Sequence, residues 1–199
     1  MDQRIIECVP NFSEGRDKQV IDSIVAAIKE AAEVSLLDVD PGESTNRTVV
    51  TFVGEPEAVV EAAFQGVKRA QELIDMRQHK GAHPRIGATD VLPLIPVQGV
   101  SLEECAEMAR ELAKRISEEL EIPTYCYEAA SFSPERKNLA VCRAGEYEGL
   151  AKRVGVAGEA PDFGDRAYDE KMARSGATVV GARDFLIAVN FNLNTTSPS

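Results

Sequence analysis

SLLDVDPGESTNRTVVTFVG, residues 35–54, decides how this chain folds. The runs at 35–40 and 47–54 are rich in aliphatic and β-branched residues, which favours two strands. The link PGEST (41–45) between them consists of residue types that form turns. The stretch therefore predicts two consecutive strands, and the segments on either side decide which fold they belong to.

The flanking segments alternate between strand and helix. Residues 4–10 (RIIECVP) read as a buried strand, and residues 17–32 place apolar side chains at helical spacing. Downstream, the predicted elements are a helix at 56–75, a strand at 88–97, a helix opened by the capping box of Ser101 and Glu104, and a short strand at 123–129. The order β-α-β-β-α-β-α-β predicts an α/β fold, a ferredoxin-like α+β sandwich with a mixed β-sheet and helices on one face. The other sheet face then needs a cover.

The pattern weakens after residue 130. The segment 132–154 is polar and rich in turn formers, and residues 160–178 read as an irregular loop. FLIAVNFNL (185–193) predicts a last strand, which we expect to pair with the chain's own sheet or with a second copy. The tail NTTSPS (194–199) has the composition of a disordered segment.

Composition excludes several classes of protein. A net charge of −11 argues against a general nucleic-acid binder, because phosphate contacts need an accumulated basic surface. The apolar runs are too short to cross a bilayer and the N-terminus lacks a signal-peptide pattern, so we expect no membrane segment and a cytoplasmic location. The four cysteines show no C-x-x-C spacing, which favours buried thiols over disulfides or a zinc site. An anionic ligand would need a local cluster of basic groups.

Both histidines lie in RQHKGAHPRIG, residues 77–87. Gly81 and Pro84 disfavour a helix interior, so the imidazoles belong to a loop that follows a helix. His79 lies near the helix end, where its ring can satisfy terminal carbonyls, whereas His83 precedes a proline and is free to face a ligand. No third histidine or suitably placed cysteine completes a zinc site, so we expect no metal.

Six segments together resemble one known family. They are VPNFSEG (9–15), LDVDPGESTNRT (37–48), HKGAHPRIGATD (79–90), RAGEYE (143–148), APDFG with the downstream SGAT (160–178), and GARDFLIAVNFNL (181–193). In this order they resemble the N-terminal subdomain of glutamate formiminotransferase, the folate enzyme that in animals is fused to a cyclodeaminase. The resemblance extends from about residue 4 to residue 193.

The resemblance implies transfer of the formimino group of N-formimino-L-glutamate to N5 of tetrahydrofolate in histidine degradation. It implies a homodimer, with tetrahydrofolate as co-substrate held between two similar subdomains. Residues 1–180 would form the N-terminal subdomain, and residues 181–193 the junction and first strand of a missing C-terminal subdomain. A non-catalytic half-domain that binds folate or a partner, or that needs a separate second subdomain, remains the alternative.

The resemblance also implies roles for individual residues. His83 would be the general acid/base, and Asp40 would lie near the reacting group as the second catalytic residue. Arg47 and Arg85 suit carboxylates of the substrate or of the folate tail, because guanidinium binds carboxylates through two hydrogen bonds. The other candidate ligand contacts, several of which could simply shape turns, are Asn11, Ser13, Asn46, Lys80, Gly87, Gly164, Ser175 and Gly176.

Overall fold

A computed structural model describes residues 3–187 of the chain. The strands are β1 (Ile5–Cys8), β2 (Asn11–Phe12), β3 (Val34–Gly42), β4 (Arg47–Gly54), β5 (Thr89–Gln98), β6 (Thr124–Glu128) and β7 (Thr178–Ala182). The helices are α1 (Lys18–Ala31), α2 (Pro56–Leu73), α3 (Leu102–Leu120), α4 (Leu139–Cys142), α5 (Glu146–Arg153) and α6 (Glu170–Ser175), with a 3₁₀ turn at Pro134–Lys137. Every strand and helix predicted before residue 130 is present.

All strands belong to one mixed sheet. β1 and β2 are two halves of one strand, interrupted at Pro10, and they pair antiparallel with β4 on one side and β5 on the other. β3 pairs with the outer side of β4, so the order β3-β4-β1/β2-β5 is that of a ferredoxin-like sheet. β7 and then β6 extend the sheet beyond β5 as parallel strands. The predicted α/β fold class is confirmed.

Helices α1, α2 and α3 cover one face of the sheet because their apolar side chains recur at helical spacing. In α1 the buried side chains are Ile21, Ile24 and Ile28. Ile24 and Ile28 join inward-facing strand residues such as Phe52 and Leu94, both fully buried, in the larger of the two apolar cores. The larger core thus lies on one side of the sheet.

The opposite face is only partly covered. Over β5, β7 and β6, helices α4 and α5 build a smaller core around Tyr125, Val179 and Leu150. Over β4 this face is less covered. Alternate residues such as Val49 and Val53 are only half-buried, while their neighbours along the strand are buried. We call this surface of β3, β4, β1 and β2 the open face.

One expectation about the last third of the chain is wrong, and a second is contradicted at the three of its residues that the structure describes. Residues 160–178 are not an irregular loop throughout, because they contain α6 and the start of β7. The final strand of the described chain is β7, which ends at Ala182, and Phe185, Leu186 and Ile187 lie outside any strand with 64%, 68% and 88% exposure. The Arg183 N–H still donates to the Leu94 carbonyl, and the chain then leaves the sheet. The rest of the predicted strand and the tail lie outside the described residues.

The cysteines behave as predicted. Cys8, Cys105, Cys126 and Cys142 are free and buried, and burial raises the pKa of each thiol. No helix within residues 3–187 is both long enough and apolar enough to span a bilayer.

The capping box of α3 gives a first test of the fold. The Ser101 hydroxyl accepts a hydrogen bond from the Glu104 N–H at 3.2 Å, and the Glu104 carboxylate accepts one from the Ser101 N–H at 2.8 Å. We expect Ser101→Ala to lower the free energy of unfolding by about 1 kcal/mol in urea titrations, since it leaves helix N–H groups without a cap. Ser44→Ala is the control, because the exposed Ser44 side chain makes no hydrogen bond within residues 3–187. Equal losses in the two variants would contradict the assignment.

Candidate active site

The candidate site lies at the end of the sheet where β4 and β5 begin and β2 ends. Asn11 of β2 sits between Val49 of β4 and Val91 of β5 in the register. Residues directly opposite in a sheet share a face, so Asn11 belongs to the open face. The loop that carries both histidines, residues 74–88, connects α2 to β5 at this end.

Arg47, at the start of β4, joins Asn11 to His83. Its Nε donates to the Asn11 Oδ1 at 2.8 Å, and a second guanidinium N–H donates to the same oxygen. Its Nη1 lies 2.6 Å from the ring nitrogens of His83, and the His83 Nδ1 lies 2.7 Å from the Pro84 carbonyl oxygen. A carbonyl only accepts, so the Pro84 contact favours the tautomer with its hydrogen on Nδ1 and its lone pair on Nε2. The Arg47 Nη1, equally distant from both ring nitrogens, selects neither tautomer.

The surroundings keep this imidazole neutral. Burial lowers the pKa of His83, the bond to Pro84 opposes that shift, and the charges of Arg47 and Arg143 lower the pKa further. Burial also lowers the pKa of Arg47. Within residues 3–187, Arg47 has no carboxylate partner at ion-pair distance, so it retains capacity for a carboxylate from a ligand. A half-buried imidazole thus lies beside a guanidinium that has no carboxylate partner among the described residues.

The sequence reasoning missed Asp90 and Arg143. The Asp90 carboxylate, 1% exposed, accepts hydrogen bonds from the Ile86 N–H at 3.0 Å and from the Arg143 Nε at 3.2 Å, and it also pairs with a terminal N–H of that guanidinium. The pair links the start of β5 to the end of α4. The sequence feature that could have identified Asp90 is an acidic residue at the start of a buried strand. Arg143 lies in the segment RAGEYE, which carries the family resemblance, but it was not selected as a candidate site residue.

Asn46 joins three loops. Its Oδ1 accepts from the Gly15 N–H at 3.0 Å, its side-chain amide donates to the Lys80 carbonyl at 3.1 Å, and its own carbonyl accepts from the His79 Nε2–H at 2.8 Å. Asn46 has a φ of 50°, a left-handed conformation that asparagine tolerates better than most residues. Its contacts support the turn-shaping alternative. Lys80 is exposed and contributes only its carbonyl to this junction.

His79 and Arg85 form a buried network next to this junction. The Arg85 Nε donates to the His79 Nδ1 at 3.2 Å, and its two terminal nitrogens bind the Glu148 carboxylate at 2.7 and 2.8 Å. His79 therefore bonds the carbonyl of Asn46, in the loop before β4, and not the end of α2 as predicted. Arg85, a predicted ligand of substrate carboxylates, has its donors directed to groups of the chain itself.

Ser13, Gly87, Ser175 and Gly176 hold two loops together through the backbone. The Ser13 hydroxyl donates to the Gly87 carbonyl at 2.7 Å, and the Ala88 N–H donates to the Ser175 carbonyl at 2.8 Å. A Cβ on Gly87 would lie 2.1 Å from a backbone oxygen, and Gly176 has a φ of 66°, so both positions require glycine. These residues bring α6 beside the histidine loop.

Asp40 and Gly164 lie outside the contacts around His83. Asp40 is exposed and pairs with Val49 in the register, which places it on the open face diagonal to Arg47. Gly164 has a φ of 100°, and a Cβ there would lie 2.8 Å from the Ser117 hydroxyl, in the region where α3 gives way to β6. Of the predicted residues, the structure thus brings Asn11, Arg47 and His83 into contact.

The network around His79 gives a second test. We expect His79→Ala to lower the free energy of unfolding by about 1–3 kcal/mol, because it leaves the Arg85 Nε–H and the Asn46 carbonyl buried without partners. We expect His83→Ala, at a half-buried position, to change stability by less than about 0.5 kcal/mol. Urea titrations of both variants measure the two losses. A larger loss of unfolding free energy in His83→Ala than in His79→Ala would contradict the assignment of His79 as the structural histidine.

Comparison with known proteins identifies the family. A family profile described as "Formiminotransferase domain, N-terminal subdomain" matches residues 5–183. The chain is 52% identical to rat formimidoyltransferase-cyclodeaminase, over 97% of this chain and 35% of that protein. It is 47% identical to glutamate formimidoyltransferase of Streptococcus pyogenes and 46% identical to that of Thermoplasma acidophilum, and covers 63% of each. The resemblance inferred from the loops is confirmed: the chain belongs to the formiminotransferase family and corresponds to its N-terminal subdomain.

Proposed function

We propose that the chain carries out formimino transfer from N-formimino-L-glutamate to N5 of tetrahydrofolate, as part of histidine degradation, with His83 as general acid/base. The names of the relatives support a formimidoyltransferase. The chain spans 35% of the rat relative and 63% of the microbial ones, so the activity of those whole proteins is here a proposal.

The observation that carries the proposal is the neutral His83 ring beside Arg47. When N5 of tetrahydrofolate attacks the formimino carbon, the new C–N bond forms and N5 loses a proton, which the Nε2 lone pair of His83 can accept. Collapse of the tetrahedral intermediate breaks the bond to the glutamate nitrogen, and the imidazolium returns the proton to that leaving nitrogen. A group with a pKa near neutrality is suited to both transfers.

Arg47 and Asp40 complete the proposed substrate site. Arg47 is oriented by Asn11 and makes no ion pair within the described residues, so a carboxylate of formiminoglutamate matches its free capacity. Asp40 lies on the same open face, where its carboxylate can stabilise the cationic formimino group. Arg85 then has a positioning role through His79 and Glu148.

For the folate, we propose contacts along the same end of the sheet. The backbone of Ser175 and Gly176 adjoins the histidine loop, and Lys80 offers an exposed charge for an anionic tail. Gly164 remains a predicted contact. No metal takes part in the proposed reaction.

The open face supports a further part of the proposal. Half-buried aliphatic residues such as Val49 and Val53 alternate there with polar ones, which is typical of a surface that another layer covers. We propose that a second subdomain or a second copy of the chain binds there in the cytoplasm. A half-domain that binds folate or a partner without turnover is the alternative, and the same surface would serve it.

The catalytic proposal predicts a specific loss. In a preparation that turns over, either this chain alone or this chain supplied with a second subdomain, we expect His83→Ala to lower turnover by about 10²-fold or more. Tetrahydrofolate affinity, measured by calorimetry, changes little because the ring acts on the transferred proton. Wild-type turnover in His83→Ala would refute the catalytic role. Tetrahydrofolate binding without turnover in either preparation would favour the non-catalytic alternative.

A further inference from the structure

A second cluster of cationic groups lies away from the His83 site. Within residues 3–187, a cavity of about 710 Å³ is bounded by the 3₁₀ turn, α4, the end of α5 and the loop at 158–162. Three arginines line it: Arg136, Arg153 and Arg166. Their neighbour Tyr125 lies on β6, beyond β7 and β5 from Asn11 in the same row of the sheet. Three strand spacings separate the two positions, roughly 14 Å, so this cavity is distinct from the candidate active site.

Arg153 is the unusual member of the cluster. It is 6% exposed, and its terminal nitrogens donate to the carbonyls of Cys142, Ala144 and Val141 at 2.7, 3.0 and 3.3 Å. None of the carboxylates within residues 3–187 lies at ion-pair distance from it, and its Nε–H has no acceptor among those residues. A buried cation without an anionic partner is costly, so this position favours an anion from outside the chain.

The positive charge of Arg136, unlike that of Arg153, is neutralised by a carboxylate of the chain. Its guanidinium lies 2.7 Å from the Asp162 carboxylate and also donates to the carbonyls of Gly158 and Ala160. The two other carboxylates that line the cavity belong to Glu135 and Glu159, which are both exposed and therefore solvated. The uncompensated positive charge inside the cavity thus belongs to Arg153, with Arg166 at an exposed position.

Tyr125 supplies a second unpartnered polar group. Its ring lies 5.1 Å from the Arg153 guanidinium carbon and 5.4 Å from that of Arg136. The side chain is fully buried, and its hydroxyl has no hydrogen-bond partner in the described part of the chain. Buried polar atoms rarely lack partners in native proteins. Two such atoms occur on residues in contact, one of which, Arg153, lines the cavity, so the local set of hydrogen-bond partners is incomplete there.

We propose that this cavity binds a small oxyanion, a carboxylate or a phosphate group, with Arg153 as its buried cationic partner and Arg166 as an outer one. The proposal does not depend on formimino transfer, since none of these residues contacts His83, Arg47 or Asn11. Arginine suits the task because its planar guanidinium keeps its charge when buried and donates in fixed directions.

Nuclear magnetic resonance of the arginine side chains tests the proposal directly. The ¹⁵N-labelled chain is titrated with sodium phosphate and, separately, with sodium glutarate, against sodium chloride at matched ionic strength. We expect the Arg153 Nε–H signal to move and saturate with phosphate, with glutarate or with both, and not with chloride. The arm that saturates identifies the anion. The signal is assigned by its loss in Arg153→Lys, or by through-bond experiments where that variant does not fold.

Arg166→Gln and Arg69→Gln form a matched pair for the same titration. Arg166 is exposed and makes no side-chain hydrogen bond within residues 3–187, so its replacement leaves the fold intact. We expect Arg166→Gln to weaken binding about tenfold, as the loss of one charge-assisted contact does. Arg69, which lies on α2 across the sheet, contributes the same charge elsewhere, so Arg69→Gln keeps wild-type affinity. An Arg153 signal that stays still, or that drifts equally with all three salts, overturns the proposal, as does equal weakening in the two variants.

Discussion

Asp90 and Arg143 form the ion pair on which the geometry of the candidate site depends. Burial raises the pKa of Asp90, and the nearby charges of Arg143 and Arg47 oppose that shift. The carboxylate also accepts from the Ile86 N–H, so one side chain ties together the start of β5, the histidine loop and the helices that cover the second core. Removing either partner would leave a buried charge, at a cost of about 3–5 kcal/mol.

The charges around this pair bear on how an acidic chain could bind the anionic substrate that we propose for it. The chain has a net charge of −11, so its overall field opposes carboxylates. Around His83, the charge of Arg143 is neutralised by the Asp90 carboxylate. Arg47 instead hydrogen-bonds to the neutral Asn11, so its charge has no carboxylate partner within residues 3–187. A neutral imidazole beside that guanidinium fits a site that binds a carboxylate and accepts a proton.

The sequence predicted the fold well up to residue 130 because each element there has clear apolar periodicity and end signals, such as Pro56 and Ser101. It failed for β7, which is short and ends in Gly181 and Ala182, whereas the more apolar FLIAV that follows lies outside any strand as far as Ile187.

The candidate site was partly predictable from the sequence. Asp90 and Arg143 lie 53 residues apart, and no local pattern reveals such a pair. Arg85 was assigned to substrate from its chemistry, although Glu148 occupies its donors.

The central claim is that His83 is a neutral base with its lone pair on Nε2, and ¹⁵N spectra of the two imidazoles test it most directly. At neutral pH we predict opposite tautomers, with the hydrogen on Nδ1 in His83 and on Nε2 in His79. Burial lowers both pKa values, so each ring takes up its proton only below the ordinary histidine value of about 6.5. A His83 ring protonated on Nε2 at neutral pH, or one that titrates at or above that value, would contradict this account.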